Sequence, residues 1–450
     1  MPNTISATEA LELMQRGVLS SVDLVQACLN RIEETDGQIK AWAHLDPEHA
    51  LAQAAELDEI RRSGRPVGPL HGIPVGLKDI IDTRDYPTER GTPVFEGRHT
   101  KDDAALVERL REAGAVIMGK TVTTELAFMN PSVTRNPHDP AHTPGGSSSG
   151  SAAAVAAEHV PLAVGTQTNG SVIRPASFCG VWGFKPSRGV ISRRGVLRTS
   201  LTLDQIGVFA RTLEDAALLA DVLAGYDPSD PLSYPRPRPE MLDGARAEAP
   251  VDPDFIWLDL PFYDRLSPDA REGYEELLEA LGEHVERLPA SPNLAALVDV
   301  QRTIHEYEIV QHLNQALTDG WDRLSDAIKA AVERGRAITR AEYEDAIAVM
   351  HSAEDFYKLF FRDYDAIIAP SAAGEAPLFE EGTGDPIFCS AWTVGGLPTL
   401  NMPLLVGARG LPVGVQLIGA VEEDDRLLRT AGWLLKYLEN LENAEDAEGG

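Results

Sequence analysis

Two clusters of glycine and serine between Gly145 and Gly189 constrain this chain more than any other feature. The first reads Gly145-Gly146-Ser147-Ser148-Ser149-Gly150-Ser151; the second reads Gly165-Thr166-Gln167-Thr168-Asn169-Gly170-Ser171-Val172-Ile173-Arg174-Pro175. The apolar run Ala152 to Val164 between them reads as helical. Small residues in two tight turns let backbone N–H groups crowd around one point, and each turn offers a hydroxyl to it. An acyl-transfer site is built this way when no metal or cofactor is used.

The chain has 450 residues, enough for one large core or two ordinary ones. No apolar run approaches the ~20 residues of a membrane-spanning helix, so a soluble globular protein is expected. The start, Met1-Pro2-Asn3-Thr4-Ile5-Ser6, has neither the basic nor the apolar region of a secretion signal. Three scattered cysteines, Cys28, Cys179 and Cys389, suggest no disulfide framework or zinc site and fit a reducing cytoplasm. A net charge of −30 makes nucleic acid and anionic membranes poor partners. That charge reads as solubility and identifies no substrate.

Residues 1–66 read as N-terminal helices. Ser6-x-x-Glu9 is a capping box ahead of the first, Leu24, Val25, Cys28, Leu29 and Ile32 line one face of the second, and Asp46-Pro47 opens the third. Residues 67–226 alternate strand-like and helix-like segments. Ile73 to Lys78 and Ala115 to Met118 read as buried strands, and Thr100-x-x-Asp103 reads as a helix start. Residues 227–254 form a proline-rich irregular connection, 255–362 a helical section, and 363–438 returning strands and a last helix. The acidic tail 439–450 is expected to be disordered. The pattern predicts an α/β chain, a single large unit with a mixed sheet between helices.

Two motifs mislead. Gly114-Ala115-Val116-Ile117-Met118-Gly119-Lys120-Thr121 fits a phosphate loop by letter, but its interior is apolar and reads as the strand itself, with no helix start after it. Gly146-Ser147-Ser148-Ser149-Gly150 fits the nucleophile elbow of α/β-hydrolases, which requires a strand immediately before it. Three prolines interrupt 135–144, and the last histidine, His351, lies in a helical stretch of solvated polar residues. His138 and His142 are read as surface residues of this proline-broken loop, without a metal-ligand set.

Taken in order, the motifs resemble the amidase signature family. Gly145 to Ser148, Gly165 to Pro175 and Gly183-Phe184-Lys185-Pro186 match its signature. Gly72 to Asp79 matches its lysine strand, and Gly395-Gly396-Leu397-Pro398 and Gly410 to Gln416 match its C-terminal strands. The likeness is strong over about 70–210, moderate over about 365–435, and limited to length and helicity between them. It implies a Ser–cis-Ser–Lys triad: Ser171 as nucleophile, Ser147 as the bridging serine in a cis peptide, and Lys78 as base. It implies an oxyanion hole from the turn Thr168-Asn169-Gly170-Ser171, and no metal, nucleotide or organic cofactor.

The chemistry is physically coherent. A serine hydroxyl is a weak nucleophile until its proton is taken, and lysine can take it only when neutral. Free lysine titrates near ~10.4, so burial or positive charge must lower that value. Lys78 sits among Ile73, Val75, Leu77 and Ile80, an apolar neighbourhood. Taken singly, a lysine on a strand reads as a surface residue and serine-rich turns as loops; their order and spacing together favour catalysis. Leu126, Phe128 and Met129 are candidates to line an acyl or aryl pocket, with core packing the competing role. Arg174 is read as one member of a structural ion pair rather than a substrate-carboxylate ligand.

Three positions depart from the family pattern: Gln167 stands for an acid, Asn169 for a glycine, and Ser149 for the glycine after the serine pair. Asn is the next-best residue for a positive φ, so the turn is expected to survive. The expected function is hydrolysis of small amides, with esters and carbamates (urethanes) open to the same acyl-enzyme chemistry. The alternative is an A-type amidotransferase subunit with partner chains. A catalytically dead relative is disfavoured because all three triad positions are filled. A small-molecule substrate and a monomer or homodimer are expected; the sequence leaves the substrate open.

Overall fold

The computed structural model describes residues 1–289 and 292–449. Short runs of β-branched and apolar residues supply eleven strands among them. These are β1 (Trp42–Leu45), β2 (Pro74–Lys78), β3 (Val116–Thr121), β4 (Leu162–Gln167), β5 (Trp182–Lys185), β6 (Gln205–Ala210), β7 (Phe255–Asp259), β8 (Val285–Pro289), β9 (Ala366–Pro370), β10 (Thr399–Val406) and β11 (Pro412–Ile418). All join one sheet in the order β1-β3-β2-β4-β6-β5-β10-β11-β9-β7-β8. The pairs β3–β2–β4 and β9–β7–β8 are parallel, and the strands between them antiparallel. This is the expected mixed sheet packed between helices.

Every position of β2, β3, β4, β5, β6 and β9 is buried. A sheet covered on both faces needs continuous apolar runs rather than alternation, as these strands have. Parallel pairing sets Leu77 of β2 opposite Val164 of β4, so Lys78 and Thr166 leave the sheet at the same edge. The helix Ser149–Ala156 packs on β2, β3, β4 and β6, and the helix Ile173–Cys179 on β5, β10 and β11. No described helix is long and apolar enough to cross a membrane.

The caps at Ser6 and Asp46 form as expected, each accepting a backbone N–H, from Glu9 and His49. Other expectations fail for physical reasons. The run Ala152 to Val164 is not one helix: the helix ends at Ala156, Glu158 turns with φ 62°, and β4 begins after Pro161. Proline removes the donor that a continuing helix requires. The helix after Thr100 starts at Ala105 without a side-chain cap, because Ala104 at the cap position has no acceptor; Asp103 lies before it and accepts the Arg84 N–H and the Arg111 guanidinium. Residues 1–66 also contain β1, which pairs with β3. The helical section carries β7 and β8, which extend the sheet. Within 227–254 a short helix, Met241–Arg246, forms. The last helix runs Asp424–Gly449 through the acidic tail expected to be disordered, and Gly450 lies outside the described residues.

The phosphate-loop lookalike is strand β3, and its Lys120 is buried against Asp79 at 3.3 Å and Thr88 Oγ1 at 2.7 Å. His351 is exposed and pairs with Glu354 on its own helix. His142 is buried beside Asp139, not on the surface, whereas His138 is exposed and bonds the Cys179 carbonyl. No group of metal-ligating residues occurs among the described residues.

Candidate active site

Lys78 ends β2 and is wholly buried. Its Nζ donates to Ser147 Oγ at 2.7 Å and to Thr166 Oγ1 at 2.8 Å. Burial pulls its pKa well below the ordinary lysine value, and the charge of Asp204 opposes that only in part. Ser147 follows a cis peptide bond from Gly146. Its carbonyl accepts the Thr124 N–H at 3.1 Å, and the Gly146 carbonyl accepts Arg174 Nη2 at 2.7 Å. Gly145 has φ 83° there, and a Cβ on it would lie 2.9 Å from Pro175 Cα. Only glycine fits that turn.

Arg174 corrects an expectation. It is buried, but among the described residues no carboxylate pairs with it; its contacts are the Gly146 carbonyl and, at 3.4 Å, Thr383 Oγ1. Burial lowers its pKa to about 10. It clamps backbone beside Ser147 rather than forming an ion pair.

The second turn joins β4 to the helix Ile173–Cys179. Gln167 organises it: Oε1 accepts the N–H groups of Val172 (2.9 Å) and Ile173 (3.1 Å), and Nε2 donates to Thr393 Oγ1 (3.0 Å). Thr168 Oγ1 donates to Asp204 at 2.6 Å, and Asp204 also accepts the N–H groups of Thr199 and Ser200. Asn169 does not take the positive φ foreseen for it. Its side chain instead bonds Gln301 and Ser390. Gly170 lies against the helix Ile387–Val394, where an added Cβ would meet Cys389 Sγ at 3.2 Å.

Thr168, Asn169 and Ser171 form part of one wall of a cleft of about 580 Å³. Phe128 and Met129 border it. Leu126 does not: it is wholly buried in the core at φ 49°, and Ala127 lines the cleft in its place. The helices Pro292–His312 and Asp326–Ala337 close the far side. The structure thus brings Lys78 and Ser147 into contact and sets Ser171 at the cleft with Thr168 and Asn169.

Several residues at the site escaped sequence reasoning. Thr166 sits inside the second cluster, but with the run before it read as helix nothing set it beside the lysine strand. Gln301 and His305 are buried residues of the helix Pro292–His312, where nothing local marks them. His305, buried against Phe128 and 3.3 Å from Thr199 Oγ1, has its pKa lowered by burial.

The amidase family profile matches residues 23–428. The chain belongs to the amidase signature family. The A-type chain of the glutamyl-tRNA(Gln) amidotransferase from Natranaerobius thermophilus is 33% identical, covering 97% of each chain. A solved structure from an inhibitor-bound vestigial protein complex, described as revealing the origins of an s-triazine catabolic enzyme, superposes with a TM-score of 0.89. It is 29% identical and covers 96% of this chain and 98% of its own. The peptide amidase of Stenotrophomonas maltophilia is 31% identical, with a TM-score of 0.78 and 96% of each chain covered. The amidase core of this chain combines a lysine strand with two serine-bearing turns.

Proposed function

We propose that this amidase-family chain opens a carboxamide C–N bond through a seryl acyl-enzyme and acts as an A-type amidotransferase subunit with partner chains. Ser171 is the nucleophile, Ser147 the proton relay and Lys78 the base. The observation that carries the chemistry is a buried amine, its charged form disfavoured, 2.7 Å from Ser147 Oγ.

The Ser171 proton passes to Ser147 as the Ser147 proton passes to Lys78, and Ser171 Oγ bonds to the substrate carbonyl carbon. The tetrahedral oxyanion faces the N–H groups of the Thr168–Ser171 turn; losing one such donor typically costs about 10²–10³ in rate. Ser147 returns a proton to the nitrogen as the C–N bond breaks. Water then releases the acid from the ester, its proton travelling the same route.

Full-length likeness to an amidotransferase chain supports the partnered reading. A second reading, a self-sufficient hydrolase of small amides, aryl esters or carbamates, is supported by similar likeness to a peptide amidase. Turnover by the purified chain separates the two, read as ammonia from glutamine and other primary amides and as the released amine or alcohol from aryl amides, esters and carbamates. Slow release from every amide, restored by partner chains, supports the partnered reading. Fast turnover of aryl or aliphatic amides by the chain alone refutes it.

A further inference from the structure

The Asn169 carboxamide links two helices that are distant in sequence. Its Nδ2 donates to Gln301 Oε1 at 3.0 Å, and its Oδ1 accepts from Ser390 Oγ at 2.8 Å. Gln301 belongs to the helix Pro292–His312, and Ser390 to the helix Ile387–Val394. Gln301 also donates Nε2 to the Thr168 carbonyl at 3.1 Å, so one buried carboxamide grips two successive residues of the turn. Thr393 Oγ1 donates to the Asn169 carbonyl at 2.5 Å from the opposite side. Asn169, Gln301 and Ser390 all line the cleft that Ser171 borders.

We infer that Asn169 is a specificity-determining strut that ties the helices Pro292–His312 and Ile387–Val394 to the turn carrying Ser171 and limits the room for a branch beside the acyl carbon. The inference rests on the acyl-enzyme reading, since it takes Ser171 as the acylated atom. Both heteroatoms of the Asn169 side chain are committed to protein partners, so it serves as a spacer rather than as a recognition group. A glycine at this position, as in the family pattern, would have no side chain to join the walls. The turn would keep its bonds from Gln301 and Thr393 to the backbone but lose the side-chain links to Gln301 Oε1 and Ser390, and the volume next to Ser171 would open to branched substituents. Asn169 acts on the reaction through the turn it belongs to, and Gln301 acts only as a positioning residue.

Phosphonylation tests the strut without knowledge of the natural substrate. A fluorophosphonate reacts as a serine Oγ–P bond forms, the P–F bond breaks and fluoride leaves, with the serine proton taken by the base. Two probes, one with a straight short chain and one branched next to phosphorus, are offered to wild type, Asn169→Ala, Gln301→Ala and the double variant. The modified residue is located by mass spectrometry, and a thermal melt confirms that each variant is folded. Wild type is expected to label at Ser171 and to favour the compact probe. Each single variant should lower that preference at least ~10-fold, and the double variant should fall short of the product of the two, because they share the Asn169–Gln301 bond while each also loses one of its own, to Ser390 and to the Thr168 carbonyl. Ser390→Ala, which removes the other anchor, supplies the same readout should either single variant fail to fold. A preference that stays unchanged in folded variants overturns the strut while leaving the acyl-enzyme intact. Wild type that takes label elsewhere, or nowhere, overturns the acyl-enzyme reading and the strut with it.

Discussion

Lys78→Met separates the base from the fold. Methionine keeps much of the aliphatic stem and removes the amine. Lys78 is wholly buried, and burial holds its pKa well below the ordinary value, whereas unfolded lysine titrates near ~10.4. Between the two values the unfolded chain binds a proton that the folded chain refuses, so stability rises with pH at about 1.4 kcal/mol per unit. The sign follows from the depressed folded value: the contribution is complete above ~10.4 and is lost as pH falls toward the folded pKa. Lys78→Met lacks this titration. Wild-type minus variant unfolding free energy should therefore climb with pH by about 1.4 kcal/mol per unit and level off near ~10.4. The bonds lost at Ser147 and Thr166 add a nearly constant offset. Lys120 and Lys185, lowered by burial to about 8 and about 7, titrate in both proteins and cancel. Urea unfolding from about pH 7 to about pH 10.5 measures the difference. Parallel curves would mean that folded Lys78 stays charged throughout, and a permanently charged amine cannot accept the Ser147 proton. The acid limb of kcat/KM should fall over the same pH range in which the difference curve flattens on its acid side.

Other perturbations follow from the same geometry. Ser171→Ala should cut ammonia release by about 10⁴-fold or more, and ordinary turnover would remove Ser171 as nucleophile. Gln167→Glu should destabilise by about 1–3 kcal/mol in chemical denaturation, because the Thr393 hydroxyl proton is already committed to the Asn169 carbonyl and would face a second acceptor; unchanged stability would sink that account. Arg174→Met leaves the Gly146 carbonyl without its donor, at a cost of about 1–3 kcal/mol, and should lower kcat more than it alters KM. Steady-state kinetics with kcat intact would show that the clamp beside Ser147 is dispensable. Chelators should leave the rate unchanged, and inhibition reversed by added metal would point to a different enzyme.

Why Lys78 and Ser147 could be read from the chain, while Gln301 could not, comes down to how each residue is specified. A lysine inside a continuous apolar strand and a serine beside two glycines are local exceptions: each violates the composition of its own segment, and burial or a tight turn is the physical reason. Strands β2, β3, β9 and β11 were legible on the same ground, since doubly covered strands need uninterrupted apolar runs. β1, β7 and β8 were not, because four or five residues between helices take their conformation from the strand they pair with, and that partner is distant in sequence. Leu126 and Asn169 show the converse limit. Leu126 has the composition of a pocket residue, yet a turn at φ 49° sends it into the core and presents Ala127 instead. Asn169 looks like a glycine substitute chosen for its backbone, and its backbone turns out ordinary; its side chain is what the site uses. Gln167 belongs with it. An acid there could accept the Val172 and Ile173 N–H groups equally well, but it could not donate to a Thr393 oxygen whose own hydrogen already serves the Asn169 carbonyl. The amide at 167 therefore follows from a threonine more than two hundred residues away, and two of the three departures from the family pattern, Gln167 and Asn169, form one hydrogen-bonded unit beside Ser171.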